Sequence, residues 1–224
     1  MSERESTPDR ILEAGRRLFN DQGYAATTLT EIAAEVGISQ GNLTYHFPTK
    51  QDLALRLEAQ TRARFHARRA EARPGDVADD YVAHLLFGMN TIWDSRFILR
   101  DRAQYLDAAQ LEPDPDLAAD FDDLFALLAR TEKEGLFRRD LGVDLRVLVR
   151  SLWIVSRYWM DHLREAEGLQ QIGWEDQERG IQHHFAVLLP CLTAPARRRF
   201  EAALHRAVDA PASAMRARDA AAHG

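Results

Sequence analysis

Between two helix-opening signals, Thr28-Leu29-Thr30-Glu31 and Thr49-Lys50-Gln51-Asp52, the chain carries Gly37-Ile38-Ser39, a glycine that closes one short helix and a serine that opens the next. A chain punctuated in this way folds into short helices set at an angle, because each apolar stripe stops early and must be buried by a neighbour. No segment shows apolar–polar alternation bounded by turn pairs, so the whole chain is expected to be all-α. The first helix is predicted from Thr7 as N-cap, with Pro8 in its first turn, to a stop at Gly23, burying Ile11, Leu12, Leu18 and Phe19. Ile32, Ala33 and Val36 fill the second helix, Ser39 caps a third that Pro48 ends, and Leu53, Leu57 and Phe65 line a long fourth.

Beyond the Pro74-Gly75 break, longer helices are predicted over 77–94, 96–110, 116–134, 143–166 and 175–193, with a last one over 195–208 and a flexible tail over 209–224. The 224 residues, 46% of them hydrophobic, suffice for a sizeable core in one or two domains. A net charge of −6 argues against coating polyanions by bulk charge, but the charge is uneven. Residues 1–75 hold 11 basic and 10 acidic side chains, leaving 18 and 25 for the remainder. Within the first part, residues 50–73 hold seven basic against three acidic. The change of sign falls at Pro74-Gly75, which is the expected domain boundary.

A single cysteine, Cys191, excludes an internal disulfide framework and a cysteine-cluster zinc site. The opening MSERESTPDR lacks the apolar run of a secretion signal, and no stretch approaches the ~18 apolar residues that span a bilayer, so a cytoplasmic protein with no membrane partner is expected.

The Gly37-Ile38-Ser39 turn between two capped helices has the spacing of a helix-turn-helix, whose second helix enters the DNA major groove; an ordinary αα corner shares that spacing. Helical geometry sends Leu43 and Phe47 inward and Gly41, Asn42 and Tyr45 to solvent. Gly41 permits close backbone approach, Gln40 and Asn42 can hydrogen-bond base edges, and Tyr45 and His46 can reach phosphates or thymine methyls. Thr28 stands at the N-terminus of the second helix, where unpaired N–H groups favour a phosphate. A solvated first-turn lysine at Lys50 and a packing role for His46 are the bland alternatives.

Ile11-Leu12 with Leu18-Phe19, Gly23-Tyr24-Ala25-Ala26-Thr27-Thr28, Ile32-Ala33 with Gly37-Ile38-Ser39, and Gly41-Asn42-Leu43-Thr44-Tyr45-His46-Phe47-Pro48-Thr49-Lys50 follow one another in a distinctive order and spacing. Over residues 5–65, with the helix-turn-helix at about 28–47, this pattern resembles the N-terminal domain of TetR-family transcriptional regulators. The resemblance implies a three-helix helix-turn-helix domain joined by a long helix to a larger helical domain, here 76–208, that binds a ligand and forms a homodimer. It implies that Thr28 holds a phosphate, that Gln40 and Asn42 face bases with Ser39 and Gly41 on the same surface, and that Tyr45, His46 and Lys50 clamp the DNA backbone. Thr44 stands where family members commonly carry an aromatic; a threonine still reaches a phosphate or a thymine methyl.

In 145–163, twelve of nineteen residues are apolar, too many for one stripe, which fits a helix held between its own domain and a partner subunit, or a core helix of a monomer. The expected dimer face comprises Leu152, Val155, Trp159, Phe185, Leu188, Leu189 and Leu192. Phe87, Trp93, Phe97, Tyr105, Phe121, Phe125 and Trp153 are the expected lining of an effector pocket of apolar or aromatic character, simple core being the alternative for each. Arg100 and Arg102 are placed to hold an anionic head group or to form surface ion pairs with Asp101 and Asp107.

Taken together, the expected function is a ligand-released homodimeric repressor on a palindromic double-stranded DNA operator, with an activator or a ligand-independent DNA-binding protein of the same fold as alternatives. A helical-bundle enzyme needs inward Glu-x-x-His pairs, and none occurs. Adjacent His183 and His184 point about 100° apart on a helix, unsuited to one metal. No catalytic site, metal or cofactor is expected.

Overall fold

The computed structural model describes residues 6–106, 115–169 and 172–209; the predicted tail beyond 209, the end of the predicted 96–110 helix from residue 107 and the breaker up to residue 114 lie outside them. Ten α-helices run among the described residues: α1 (Thr7–Gln22), α2 (Leu29–Val36), α3 (Gln40–His46), α4 (Lys50–Glu71), α5 (Val77–Asp94), α6 (Phe97–Tyr105), α7 (Pro115–Lys133), α8 (Leu145–Glu165), α9 (Trp174–Leu188) and α10 (Ala194–Asp209). A 3₁₀ turn, Leu189–Cys191, follows α9, where Pro190 cannot continue the helix.

Capping chemistry sets the ends. The first cap is Ser6, one residue ahead of the predicted Thr7, because the Ser6 hydroxyl is the group that accepts the Asp9 N–H. Thr28 and Glu31 form the reciprocal box that opens α2, and Thr49 and Asp52 form the one that opens α4. Gly37 closes α2 in the left-handed conformation, φ +74°, with its N–H bonded back to the last turn.

The chain divides into two compact units, residues 1–72 with 91–114, and residues 73–90 with 115–224. In the first, Ile11, Phe19, Ile32, Leu43 and Leu53 form the buried centre, joined by Phe97 and Tyr105 from α6. The predicted boundary at Pro74-Gly75 marks where the chain leaves this unit, but residues 91–106 belong to it, not to the second unit. The physical reason is aromatic packing: the Phe97 ring lies 5.2 Å from that of Phe19, and Tyr105 lies 5.3 Å from Tyr24. Phe97 and Tyr105, expected in the lining of an effector pocket, are thereby placed in the core of the first unit.

The second unit packs α7, α8, α9 and α10 with the start of α5 around Tyr81, Met89, Leu128, Leu152 and Phe200. Gly180 lets α9 approach α8 closely, since a Cβ there would stand 2.6 Å from the Trp159 ring. Inside this core His184 lies between two hydroxyls, Nε2 at 2.5 Å from Tyr81 Oη and Nδ1 at 2.7 Å from Ser156 Oγ. Burial pushes the His184 imidazole down to about 3.

Candidate nucleic-acid interface

Helix α3 has two sharply different sides. Leu43 and Phe47 are buried against α1 and α2, and Ser39 caps the helix through the Asn42 N–H at 3.2 Å. On the other side Ser39, Gln40, Gly41, Asn42 and Tyr45 are exposed, Tyr45 to 83% of its surface. Tyr45 and His46 meet edge to face at 5.2 Å, which braces the tyrosine ring without burying it. The ring of Tyr45 is kept in water and contributes nothing to the core of its unit.

The neighbouring polar groups are held by local bonds. Gln40 Oε1 accepts the Thr30 hydroxyl at 2.9 Å, tying α3 to α2, from a residue that is exposed. Thr44, where an aromatic was the family expectation, donates its hydroxyl to the Gly41 carbonyl at 3.2 Å. Thr28 donates its hydroxyl to Glu31 at 2.8 Å, so a phosphate at the N-terminus of α2 meets first the Leu29 and Thr30 amides, which helix geometry leaves without intrahelical acceptors. Bonds from Thr28 hold the Glu31 carboxyl below the usual carboxylate range.

Lys50 does not extend toward solvent. Its ammonium donates to the carbonyls of Tyr24 at 2.7 Å and Thr27 at 2.9 Å, with that of Ala25 at 3.4 Å, and sits 4.3 Å from the centre of the Tyr24 ring. Burial lowers its pKa from the usual lysine range, with Glu31 opposing. Without DNA, the ammonium expected to clamp the DNA backbone thus rests on the turn before α2.

A Cβ on Gly41 would have nothing nearer than the Ser39 hydroxyl at 4.0 Å, so alanine fits the protein there. Gly41→Ala is therefore expected to raise stability by up to about 1 kcal/mol while weakening DNA binding, because the added methyl occupies the space a DNA backbone or base edge would enter. Paired urea-unfolding and DNA-titration curves check both halves; unchanged DNA affinity would remove Gly41 from the interface.

The other expected sites distribute differently. Leu152, Phe185, Leu188 and Leu192 lie within the core of their own unit, Trp159 is buried and donates its indole N–H to the Asp176 carbonyl at 2.7 Å, and Val155 and Leu189 are half-buried. The apolar side chains that α8 and α9 leave outside are Val147 (59% exposed), Ile154 (47%), Tyr158 (47%) and Val187. Of the expected pocket aromatics, Trp93 is buried in the segment of α5 that joins the first unit, and Phe87 is half-buried. Phe121, Phe125 and Trp153 gather on α7 and α8, with the Trp153 indole donating to Asp120 at 3.0 Å. A cavity of about 190 Å³ is lined by Phe137, Arg138, Arg139, Leu141, Val143 and Leu145 among others, and by none of the expected aromatics. Arg100 pairs with Asp101 at 2.8 Å and Arg102 with Glu58 at 3.3 Å; Asp107, the other expected partner, lies outside the described residues.

Two short capped helices joined by a glycine turn, the second with an exposed polar and aromatic face, have the geometry of a helix-turn-helix. Residues 11–57 match the family model for bacterial regulatory proteins of the tetR family, and residues 56–200 that for a bacterial transcriptional repressor, so the chain belongs to the TetR family. A TetR-family transcriptional regulator from Marinobacter aquaeolei VT8 is similar at a TM-score of 0.68 and 27% identity, over 90% of this chain and 98% of that one. A gamma-butyrolactone receptor described as ArpA-like shares the fold at a TM-score of 0.61 and 20% identity, over 89% of this chain and 95% of its own. The HTH-type transcriptional repressor AcnR of Corynebacterium diphtheriae is 36% identical over 74 residues, 33% of this chain; the chain spans only 39% of that repressor's length. Among the described residues, no helix is long and apolar enough to cross a membrane.

Proposed function

We propose that the protein is a homodimeric repressor that holds a palindromic operator through the α3 face of each subunit and leaves it when a small molecule enters the second unit. The observation that carries this reading is α3 itself, with Tyr45 in solvent above buried Leu43 and Phe47. Two such helices on a two-fold axis read two half-sites about 34–36 Å apart, which is why a dimer is needed. The surface available for dimerisation is the stripe Val147, Ile154 and Tyr158 on α8 with Val187 on α9, apolar groups that cost free energy in water.

An effector of apolar or aromatic character suits the half-buried cluster of Phe121, Phe125 and Trp153. The gamma-butyrolactone receptor, a protein of this fold, is named for a small molecule, which supports a ligand-responsive reading of the second unit. Release requires that the effector bind the DNA-free arrangement more tightly than the DNA-bound one.

Ile154→Arg is expected to raise the dimer dissociation constant at least about a hundredfold, since a charge at the centre of an apolar face must be desolvated and replaces the packing that the isoleucine supplies. Sedimentation equilibrium reads this directly; a variant that remains dimeric at the wild-type concentration would place the interface elsewhere. The function itself is tested with a reporter under the DNA upstream of the protein's own gene. Supplying the protein lowers expression if it represses, and raises it if it activates.

A further inference from the structure

We infer that the loop between α7 and α8 carries a second small-molecule site, a cleft that takes a zwitterion with an apolar side chain, an α-amino acid of about the size of leucine, between Glu132 and Arg139. The cleft shares no lining residue with the Phe121, Phe125 and Trp153 cluster, and its occupancy does not depend on DNA binding.

The loop is held in shape by its own chain. Gly135, at φ +70°, ends α7 in a left-handed turn with its N–H on the Glu132 carbonyl at 2.9 Å, and the chain then pairs with the segment after α9. Thr193 donates its N–H to the Leu136 carbonyl at 2.8 Å, Arg138 donates its own to the Cys191 carbonyl at 2.9 Å, and Phe137 faces Leu192 in an antiparallel bridge between those bonds. The Arg138 guanidinium is bidentate on Asp140, at 3.1 and 2.7 Å, and reaches the Pro190 carbonyl at 3.3 Å. Asp144 then caps α8 through the Arg146 and Val147 N–H groups. A cleft tied at both ends in this way is preorganised, so a ligand loses little binding free energy to ordering it.

The cavity of about 190 Å³ has an apolar floor and a charged rim. Buried Leu148 and half-buried Phe137, Leu141 and Leu145 form the floor. The volume exceeds the roughly 150 Å³ at which an apolar cavity takes up benzene, so a branched aliphatic side chain fits. Glu132, Arg138 and Arg139 stand at the rim, all exposed, and Arg138 already carries the Asp140 carboxylate. Glu132 and Arg139 line the same cavity, yet among the described residues neither side chain makes a hydrogen bond or an ion pair, with the other or with any third group. The cleft thus offers one uncommitted carboxylate and one uncommitted guanidinium above an apolar floor. An ammonium suits the first and a carboxylate, taken bidentately, the second. A ligand with only one of these charges meets repulsion from the rim charge of its own sign, which is why a zwitterion fits better than a simple acid or amine.

The test is an NMR titration of the isotope-labelled full-length protein, read at the backbone amides of Gly142 and Val143, which line the cavity. The probes are L-leucine and two molecules that keep its side chain with one charge each, isocaproate and isopentylamine. Leucine is expected to bind with a dissociation constant at or below about 1 mM, and about fivefold more tightly than either single-charge probe, the upper end of what a charge pair open to water contributes. Arg139→Gln removes the advantage over isopentylamine and Glu132→Gln the advantage over isocaproate, each weakening leucine about fivefold. Both positions are exposed, so the variants keep the fold. No saturable shift up to about 10 mM leucine, shifts confined to amides elsewhere in the chain, equal affinity of the wild type for leucine and either single-charge probe, or leucine binding that both variants leave unchanged would each overturn the inference.

Discussion

Tyr45→Ala is expected to weaken operator binding about a hundredfold, because an interaction worth about 1–1.5 kcal/mol is removed from each of two identical subunits. The side chain is 83% exposed and touches little of its own unit beyond the edge of His46, so the truncation leaves the fold nearly untouched. Unfolding free energy should stay within about 0.5 kcal/mol of wild type, as for other exposed positions. Fluorescence anisotropy with labelled DNA and a parallel urea melt separate the two effects. A weakening of less than about threefold would move the principal contact off this face, and a large drop in stability would mean that Tyr45 has a packing role.

The second large effect is on stability and comes from His184. Its folded pKa is pushed down to about 3 by burial between Tyr81 and Ser156, whereas an unfolded histidine titrates near 6.5. The folded state therefore excludes a proton that the unfolded state takes up, so stability is present in full above about pH 6.5 and is lost as pH falls below it. From pH 7 to pH 5 this group alone removes about 2 kcal/mol, with a slope approaching about 1.4 kcal/mol per pH unit at the acid end. Urea unfolding at fixed protein concentration should show that loss in the wild type, and His184→Gln, which keeps an amide between the two hydroxyls, should lack it. The rest of the chain is common to both proteins, so the difference between the two curves isolates His184. Parallel curves would mean that the imidazole is protonated in the folded protein.

What was legible in the sequence is local. Thr28 with Glu31, Thr49 with Asp52, and Gly37 specify helix ends through bonds made within a few residues, and the structure keeps each of them. The side of α3 that Leu43 and Phe47 bury follows from a single helical period, which is why Tyr45 and Asn42 could be placed in solvent from spacing alone. The rest depends on partners far along the chain. Lys50 is a first-turn residue of α4 whose carbonyl partners lie in the turn before α2, and no local pattern in the sequence announces those bonds.

Residues 97–105 carry the same aromatic content whether they line a pocket or seal a helix-turn-helix core. Ring packing of Phe97 on Phe19 and of Tyr105 on Tyr24, with the bonds between Asn20 and Phe97 and between Arg100 and Phe19, decides the matter. The expected dimer face differs from the exposed apolar stripe for a related reason. With twelve apolar residues in 145–163, periodicity says that α8 buries more than one side, but the neighbours that cover Leu152 and leave Ile154 bare are set by tertiary packing.

The most direct test of a dimeric DNA reader is selection from a random duplex library by the full-length protein, followed by sequencing of the recovered DNA. An inverted repeat, bound by the wild type and released by Tyr45→Ala, is the expected result, with half-site centres about one helical turn or a multiple of it apart. A single asymmetric site bound equally well by Ile154→Arg, or no enrichment by a well-folded dimer, would contradict it.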